Sequence, residues 1–392
     1  MATRKRPRAG AVALVAVALT ATVLTGPARA AEDPAGTATG HQATQSALEA
    51  AVAAGVPGVT AEARDADGVW KSAVGVGDLA TGAPRGRNDR FRVGSITDTF
   101  VATVLLQMEA EGKLSLDDTV ERYLPGVVTG DGNDGSRITV RQLLNHTSGL
   151  YDYLADPAYY ETYTLGDGFL RHRYDTLTPA QRLKVAFSHP PMFPPGARHS
   201  FSHTNDILSA MVVEKVGGTS YESQVRRRII EPLGLSATSN PGTSTGVPRP
   251  SSRGYSKLFY GTQPDRTDDV TELNGSQNWG DGDIISSAGD LNRFYGALMS
   301  GKLLPAQQLT ELKTTVVNPD FPISSYGLGI ERLTMGCGTT LWYHDGGVVG
   351  SLTMVAFTED GRHRLTFNYN GDWEVSQLLP TLNAEFCDTA SH

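Results

Sequence analysis

Ser95 opens a stretch that reads as a helix, and Asp98 stands one helical turn after it. A serine in that place has two useful properties. Its own backbone N–H is one of the unpaired donors of a helix N-terminus, and the helix dipole favours negative charge there. Both stabilise the oxyanion formed when a hydroxyl attacks a carbonyl. Such a nucleophile needs a base within hydrogen-bond reach, and the residue three positions on is the natural place for one. A lone carboxylate, with a reference pKa near ~3.9, is a poor base for serine. The same Ser-x-x-Asp spacing before an apolar run is also a helix capping box, so both residues have a purely structural reading.

The elements that must position Ser95 follow from the surrounding pattern. Val101, Val104, Leu105 and Met108 recur at helical spacing, which predicts a helix from about Ser95 to Glu111 with one buried face, ended by Gly112. Before it, a helix is expected over Ser46–Ala54, and strands over Val59–Arg64 and Val69–Val76 around an Asp65–Gly68 turn. The middle of the chain is helical and loop-rich, with helices expected over Val140–Asn145, Pro179–Phe187, Asn205–Lys215 and Tyr221–Ile230. Proline-rich breakers lie at 190–195 and 241–250. Strands return at Tyr326–Leu333, Thr339–Tyr343, Ser351–Thr358 and His363–Tyr369, and Glu374–Phe386 closes as a helix. Strands at both ends with helices between predict an α+β fold: one sheet built from the termini, flanked by helices, and an inserted all-helical lobe over roughly residues 113–280.

Residues 1–30 combine a basic start, the apolar run Ala11–Leu24 and an Ala28-Arg29-Ala30 end, the pattern of a cleaved secretory signal. Residues 31–45 read as a flexible lead-in, and the globular domain is expected over 46–388. A secreted, extracellular protein with no stable membrane anchor is therefore expected. Removing the five basic residues of the leader takes the formal net charge from -8 to -13. That balance argues against nucleic acid or anionic membrane surfaces as partners. A monomer acting on a small substrate is expected. In an oxidising compartment Cys337 and Cys387, the two cysteines of the chain, are expected to form one disulfide.

Phe91-Arg92-Val93-Gly94-Ser95-Ile96-Thr97-Asp98 resembles the nucleophile motif of the penicillin-binding protein and class C β-lactamase superfamily, and most of all that of secreted serine D-Ala-D-Ala carboxypeptidases. Gly112–Asp118, Ile138–Leu150, Asn205–Gly218, Ile285–Ser287 and Tyr343–Gly346 carry the resemblance along nearly the whole mature chain. It implies a β-lactamase/transpeptidase-like fold, an α/β sandwich with the cleft between sheet and helical lobe. It also implies a serine hydrolase working through an acyl-enzyme, no cofactor, and an oxyanion hole from the N–H groups of Ser95 and Gly347. The Cys337–Cys387 pair resembles a disulfide of these carboxypeptidases.

The departures change the chemistry. Where the family has lysine three residues after the serine, this chain has Asp98. Where it has Tyr-x-Asn, this chain has Phe201-Ser202-His203, and the Lys/His-Thr-Gly motif is His344-Asp345-Gly346. Three readings follow. In the first, His203 is the base, oriented by Asp98, on the logic of a serine–histidine–aspartate arrangement recognised by geometry rather than chain order; His344 is a second candidate base. In the second, the protein is catalytically inactive and binds cell-wall peptide or a partner. In the third, Asp98, His203, His344 and Asp345 hold a metal, although their spacing matches no metal motif.

Substrate contacts are expected from Phe201, Trp279, Asp345 and Gly346. The resemblance puts Asp345 at a threonine's position and Glu331 where an arginine often stands, with Arg332 facing the other way, and it puts Asp281 and Asp283 on the cleft wall. Anions there oppose a free substrate carboxylate. An amide, an ester or a substrate with a nearby amine is expected instead. His146, in Asn145–Gly149, is expected to organise a helix end.

Overall fold

The computed structural model describes residues 40–258 and 266–387. The leader read over residues 1–30 lies outside them, as does the domain end at 388.

The sheet is built from both ends of the chain. β1 (Gly58–Arg64), β2 (Val69–Asp78) and β3 (Ala83–Pro84) come from the first part. β4 (Arg90–Arg92) pairs with β5 (Ile285–Ser287) as a separate ribbon beside Ser95. β6 (Val316–Val317), β7 (Ser324–Tyr326), β8 (Glu331–Thr334), β9 (Thr340–Val348), β10 (Ser351–Phe357) and β11 (Arg364–Tyr369) come from the last part. The nine-stranded sheet runs β6-β7-β8-β9-β10-β11-β1-β2-β3, antiparallel at every pairing. β1 is central, with Val59 opposite Tyr369 on one side and Val74 on the other. It is an open sheet, in the mixed helix-and-sheet class that the sequence predicts.

One face of the sheet is covered by α1 (Gln42–Ala53) and the last helix, Leu378–Phe386, through Leu48, Leu382 and Phe386 against Val59, Leu365 and Phe367. α1 begins at Gln42, inside the expected lead-in. The reason is tertiary: His41 and Thr44 are buried and both bond Glu385 on the last helix (3.1 and 2.5 Å). Cys387, just beyond that helix, is disulfide-bonded to Cys337.

The other face carries α2 (Ile96–Ala110), whose side chains from Ile96 to Leu106 are all buried. The predicted single buried face is therefore too narrow. α2 sits between the sheet and the helices of the 120–233 region, so it is enclosed on every side, as a helix apolar all round must be. Its polar residues bond inward: Thr99 donates to Gly329 O (2.6 Å) and Thr103 to Thr99 O (2.7 Å). This contact also breaks the predicted strand Tyr326–Leu333. Gly329 takes a left-handed φ of +66°, and a Cβ there would lie 2.8 Å from Asp98 O and from Ala102 Cβ. The chain leaves the sheet between β7 and β8 to meet α2.

α3 (His203–Gly217) lies against α2 and ends on the left-handed Gly218. The 221–230 stretch is one α-helical turn followed by a π-helical segment, Arg226–Ile230. The apolar helix Ala288–Met299, absent from the pattern reading, packs on the sheet through Leu291, Phe294 and Leu298.

Candidate active site

Gly94 and Gly346 bring Ser95, the expected nucleophile, to the sheet. Gly94 has a φ of +61°, and a Cβ on it would meet Gly347 N at 2.5 Å. A Cβ on Gly346 would meet Val93 O at 2.1 Å and Ser95 N at 2.8 Å. The loop before α2 and the end of β9 therefore touch backbone to backbone, which only glycine permits. The consequence is that the N–H of Ser95, at the head of α2, lies beside the Gly346–Gly347 peptide. Ser95 is half-buried and Gly347 exposed, so the junction opens to the cleft.

Asp98 points elsewhere. It is 3 % exposed, and neither carboxylate oxygen has a hydrogen-bond partner. Its oxygens group with His146 and Asp206, one ligand atom from each residue lying within 4.8 Å of the others. Burial first, then Asp281 and Asp345, push its carboxyl well above the usual range. Asp206 is pushed up in the same way, by burial and then by Asp98. His146 is buried with a left-handed φ of +52°. Its Nδ1 accepts from Ser202 N–H (3.2 Å) and faces the Asn205 amide (3.1 Å), while Nε2 lies 3.6 Å from Asp206. Burial and the neighbouring histidines hold it well below the usual imidazole range. The organising role expected of His146 thus has concrete bonds.

His203, the first residue of α3, is bonded to Asp152 (Nδ1 to Oδ2, 3.0 Å) rather than to Asp98. The expected orienter is thus replaced by a residue from the loop after Gly149. The reason is the position of the two helix starts: Asp98 faces Asp206, the acid in the first turn of α3, and leaves the imidazole to the loop. Burial alone pulls His203 down, but Asp152, then Asp281 and Asp206, outweigh it and lift the group to about 9. Its side chain is 22 % exposed. Phe201 stacks on His146 (4.2 Å between centroids, 22°) and meets His203 edge-on.

His344 is buried on β9. Its Nδ1 is 2.6 Å from Asp345 O and its Nε2 3.0 Å from the Tyr326 hydroxyl, and burial lowers its pKa. Both ring nitrogens are therefore engaged in the sheet. The metal set Asp98, His203, His344 and Asp345 does not assemble among the described residues; Asp98 gathers His146 and Asp206 instead.

The expected wall of negative charge is also reduced. Asp281 is buried and receives both a guanidinium N–H pair from Arg182 (3.0 and 3.1 Å) and the Tyr153 hydroxyl. Asp283 accepts from Tyr221 and Asn240, and burial pushes it up to about 7. Glu331 is buried, accepts from Ser324 (2.9 Å) and Tyr343 (2.7 Å), and is raised to about 8 by burial and then by Asp345. At neutral pH Glu331 is mostly an uncharged acid, and Asp345 is the exposed carboxylate of the motif. Arg332 is exposed, on the opposite face from Glu331, as alternation on a strand requires. Trp279 packs against the core, with its indole N–H on Glu222 (2.8 Å).

A cavity of about 220 Å³ opens beside Gly347, walled by Tyr159, Tyr163, Leu258, Asn278 and Leu352. Asp152, Asp206 and Tyr326 were not singled out from the sequence. Asp152 carried no motif, Asp206 lay in the Asn205–Gly218 stretch without a role of its own, and Tyr326 read as an ordinary strand residue. The signal available was the Asp152-to-His203 complementarity, which sequence spacing alone does not rank.

Comparison with known proteins agrees with this geometry. The Beta-lactamase family model matches residues 44–373. The D-stereospecific amidohydrolase of a Streptomyces species has 50 % sequence identity and a TM-score of 0.83, over 88 % of this chain and 98 % of that one. The D-amino acid amidase of Ochrobactrum anthropi SV3, solved with L-phenylalanine amide, has 26 % identity and a TM-score of 0.74, over 87 % and 95 %. Esterase EstB of Burkholderia gladioli is 33 % identical over 184 residues, 46 % of this chain and 46 % of the esterase, so the match spans just under half of that relative. With a family model covering most of its length and an open antiparallel sheet packed on a buried nucleophile helix, the chain belongs to the β-lactamase family, whose fold it shares with penicillin-binding proteins and D-amino acid amidases.

Proposed function

We propose that this protein is an exported serine hydrolase or acyltransferase that opens an amide or ester bond through an acyl-enzyme on Ser95. One observation carries the reading: the Ser95 backbone at the head of a buried helix adjoins the Gly346–Gly347 backbone, with Ser95 half-buried and Gly347 exposed. Backbone N–H groups at such a junction would suit a tetrahedral oxyanion. Relatives named amidohydrolase, amidase and esterase support the bond type. The apolar, tyrosine-walled cavity beside Gly347 suits the side chain of a D-amino acid amide or a similar acyl group. The Cys337–Cys387 disulfide supports export to an oxidising compartment, and no described helix is long and apolar enough to cross a membrane.

His203 is the proposed proton carrier, with Asp152 as its orienting carboxylate in place of Asp98. Ser95 Oγ attacks the carbonyl carbon and gives its proton to Nε2 of His203. The tetrahedral intermediate collapses, the C–N or C–O bond breaks, and the leaving group takes that proton. Water, or an acceptor amine, then repeats the sequence on the ester of Ser95. A second reading, a cleft that binds without turnover, is favoured by one feature: the carboxylate at the family's lysine position is buried and makes no hydrogen bond to Ser95.

A fluorophosphonate followed by intact-mass measurement tests the first reading. One adduct on the wild-type protein, absent in Ser95→Ala and formed at least tenfold more slowly in His203→Ala, is the expected result. An unmodified wild-type protein that still binds D-phenylalanine amide favours the second.

A further inference from the structure

The lysine position of this chain holds an acid that faces a second acid, and the basic group beside them among the described residues is the imidazole of His146, which burial holds well below the usual range. Asp98 is 3 % exposed and Asp206 4 % exposed. Both oxygens of Asp98, Oδ2 of Asp206 and Nε2 of His146 are buried without a hydrogen-bond partner, and one ligand atom of each residue falls within 4.8 Å of the others. Natural proteins seldom leave such atoms unpaired, and a buried carboxylate pair costs several kcal/mol unless a cation or protons neutralise it.

The neighbouring cations are already committed. Arg182 is bonded to Asp281, and His203 to Asp152. His199 lies near His146 but is held at about 4, mainly by burial, and is neutral. Counting Asp98, Asp206, Asp152 and Asp281 against Arg182 and His203, two negative charges are left over when all are ionised.

We propose that Asp98 and Asp206 hold one hard divalent cation (magnesium, manganese or calcium) at the place the family's lysine ammonium would fill. The identity of the ion follows from His146. Its Nδ1 accepts the Ser202 N–H, so the imidazole proton resides on Nε2 and points towards Asp206. A zinc ion seeking that nitrogen must displace this proton and reverse the bond to Ser202. An ion taken by carboxylate oxygens leaves it in place, with His146 Nε2 3.6 Å from Asp206 and outside the coordination shell. The site is distinct in its chemistry from the acyl transfer proposed above and stands whether or not Ser95 turns over.

The test is titration of the chelator-stripped protein with manganese(II), read by electron paramagnetic resonance and by thermal unfolding. One ion per chain is expected, with calcium competing and the unfolding midpoint rising with ion concentration. Asp98→Asn and Asp206→Asn keep side-chain shape and are each expected to weaken binding at least tenfold while remaining folded by circular dichroism. Should either variant fail to fold, the ion-dependent midpoint of the wild-type protein still decides. No bound manganese at millimolar ion, or equal binding in folded Asp98→Asn, overturns the proposal and leaves the two carboxyls sharing protons. Zinc binding tighter than manganese and lost in His146→Gln overturns the oxygen-donor assignment.

Discussion

At the scale of single residues, the departures at Asp98, Phe201 and His203 are not one linked relay. Asp98 turns inward to Asp206 and His146, Phe201 stacks on His146, and His203 takes Asp152 as its partner. The imidazole of His203 and the acid at position 98 thus belong to separate clusters. It also fixes a pH dependence. The folded His203 is lifted to about 9. Only about a hundredth of it is therefore neutral at pH 7. Acylation rates of Ser95 should rise about tenfold per pH unit from 7 and level off near pH 9, and Asp152→Asn should move that plateau downward. A rate profile flat from pH 7 to 10 would show that His203 is not the base. The stability sign runs the other way. A histidine raised by its partner contributes fully below its unfolded value near ~6.5 and loses that contribution as pH climbs through 9. Activity should therefore increase over the same window, pH 7 to about 9, in which the stabilisation from this pair is progressively lost.

At the scale of elements, the decisive contact is between the head of α2 and the end of β9. The motif residues on both sides are readable in the sequence, but their touching is not, because it depends on two glycines more than two hundred positions apart. Gly346→Ala places a methyl 2.1 Å from Val93 O. Backbone has nowhere flexible to go, so the cost should be about 2–4 kcal/mol of stability with loss of fluorophosphonate labelling. Unfolding in urea together with the labelling rate checks both; a variant labelled like the wild type would show that the oxyanion side is not built here. The elements also show where pattern reading falls short. β9 extends to Val348 instead of stopping at Tyr343, because its ladder with β10 continues from the His344–Val355 pair to the Val348–Ser351 pair. Glycine is depleted in strands, yet Gly346 and Gly347 stay in register opposite Thr353 and Leu352 of β10. The helices Pro157–Tyr163 and Gly166–His172 are short and become stable only through Tyr159 and Phe169 in the core.

At the scale of the whole molecule, the two ends of the described chain are stitched to each other. His41, Thr44 and His363 converge on the buried Glu385, and the disulfide joins β8's following turn to the residue after the last helix. The cysteines are 50 positions apart. In the loop-entropy model Cys387→Ser, paired with Cys337→Ser, should cost about 4 kcal/mol. Calorimetry of the double variant against the wild type measures it, and an unchanged transition would mean that the last helix is held by packing alone.

What the sequence by itself determined is the family, the strand–helix–strand order and the cysteine pair. Each rests on local signals: ordered motifs, apolar periodicity, or residue type at a helix start. Tertiary structure alone decided which acid faces which base. The sequence reading pairs His203 with Asp98, whereas the structure pairs it with Asp152. Burial and the docking of α2 against α3 send one carboxylate into a closed cluster and leave the other at the imidazole. Charge pairing in a protein interior depends on distances of a few ångströms between elements far apart in the chain, and sequence spacing does not carry that information.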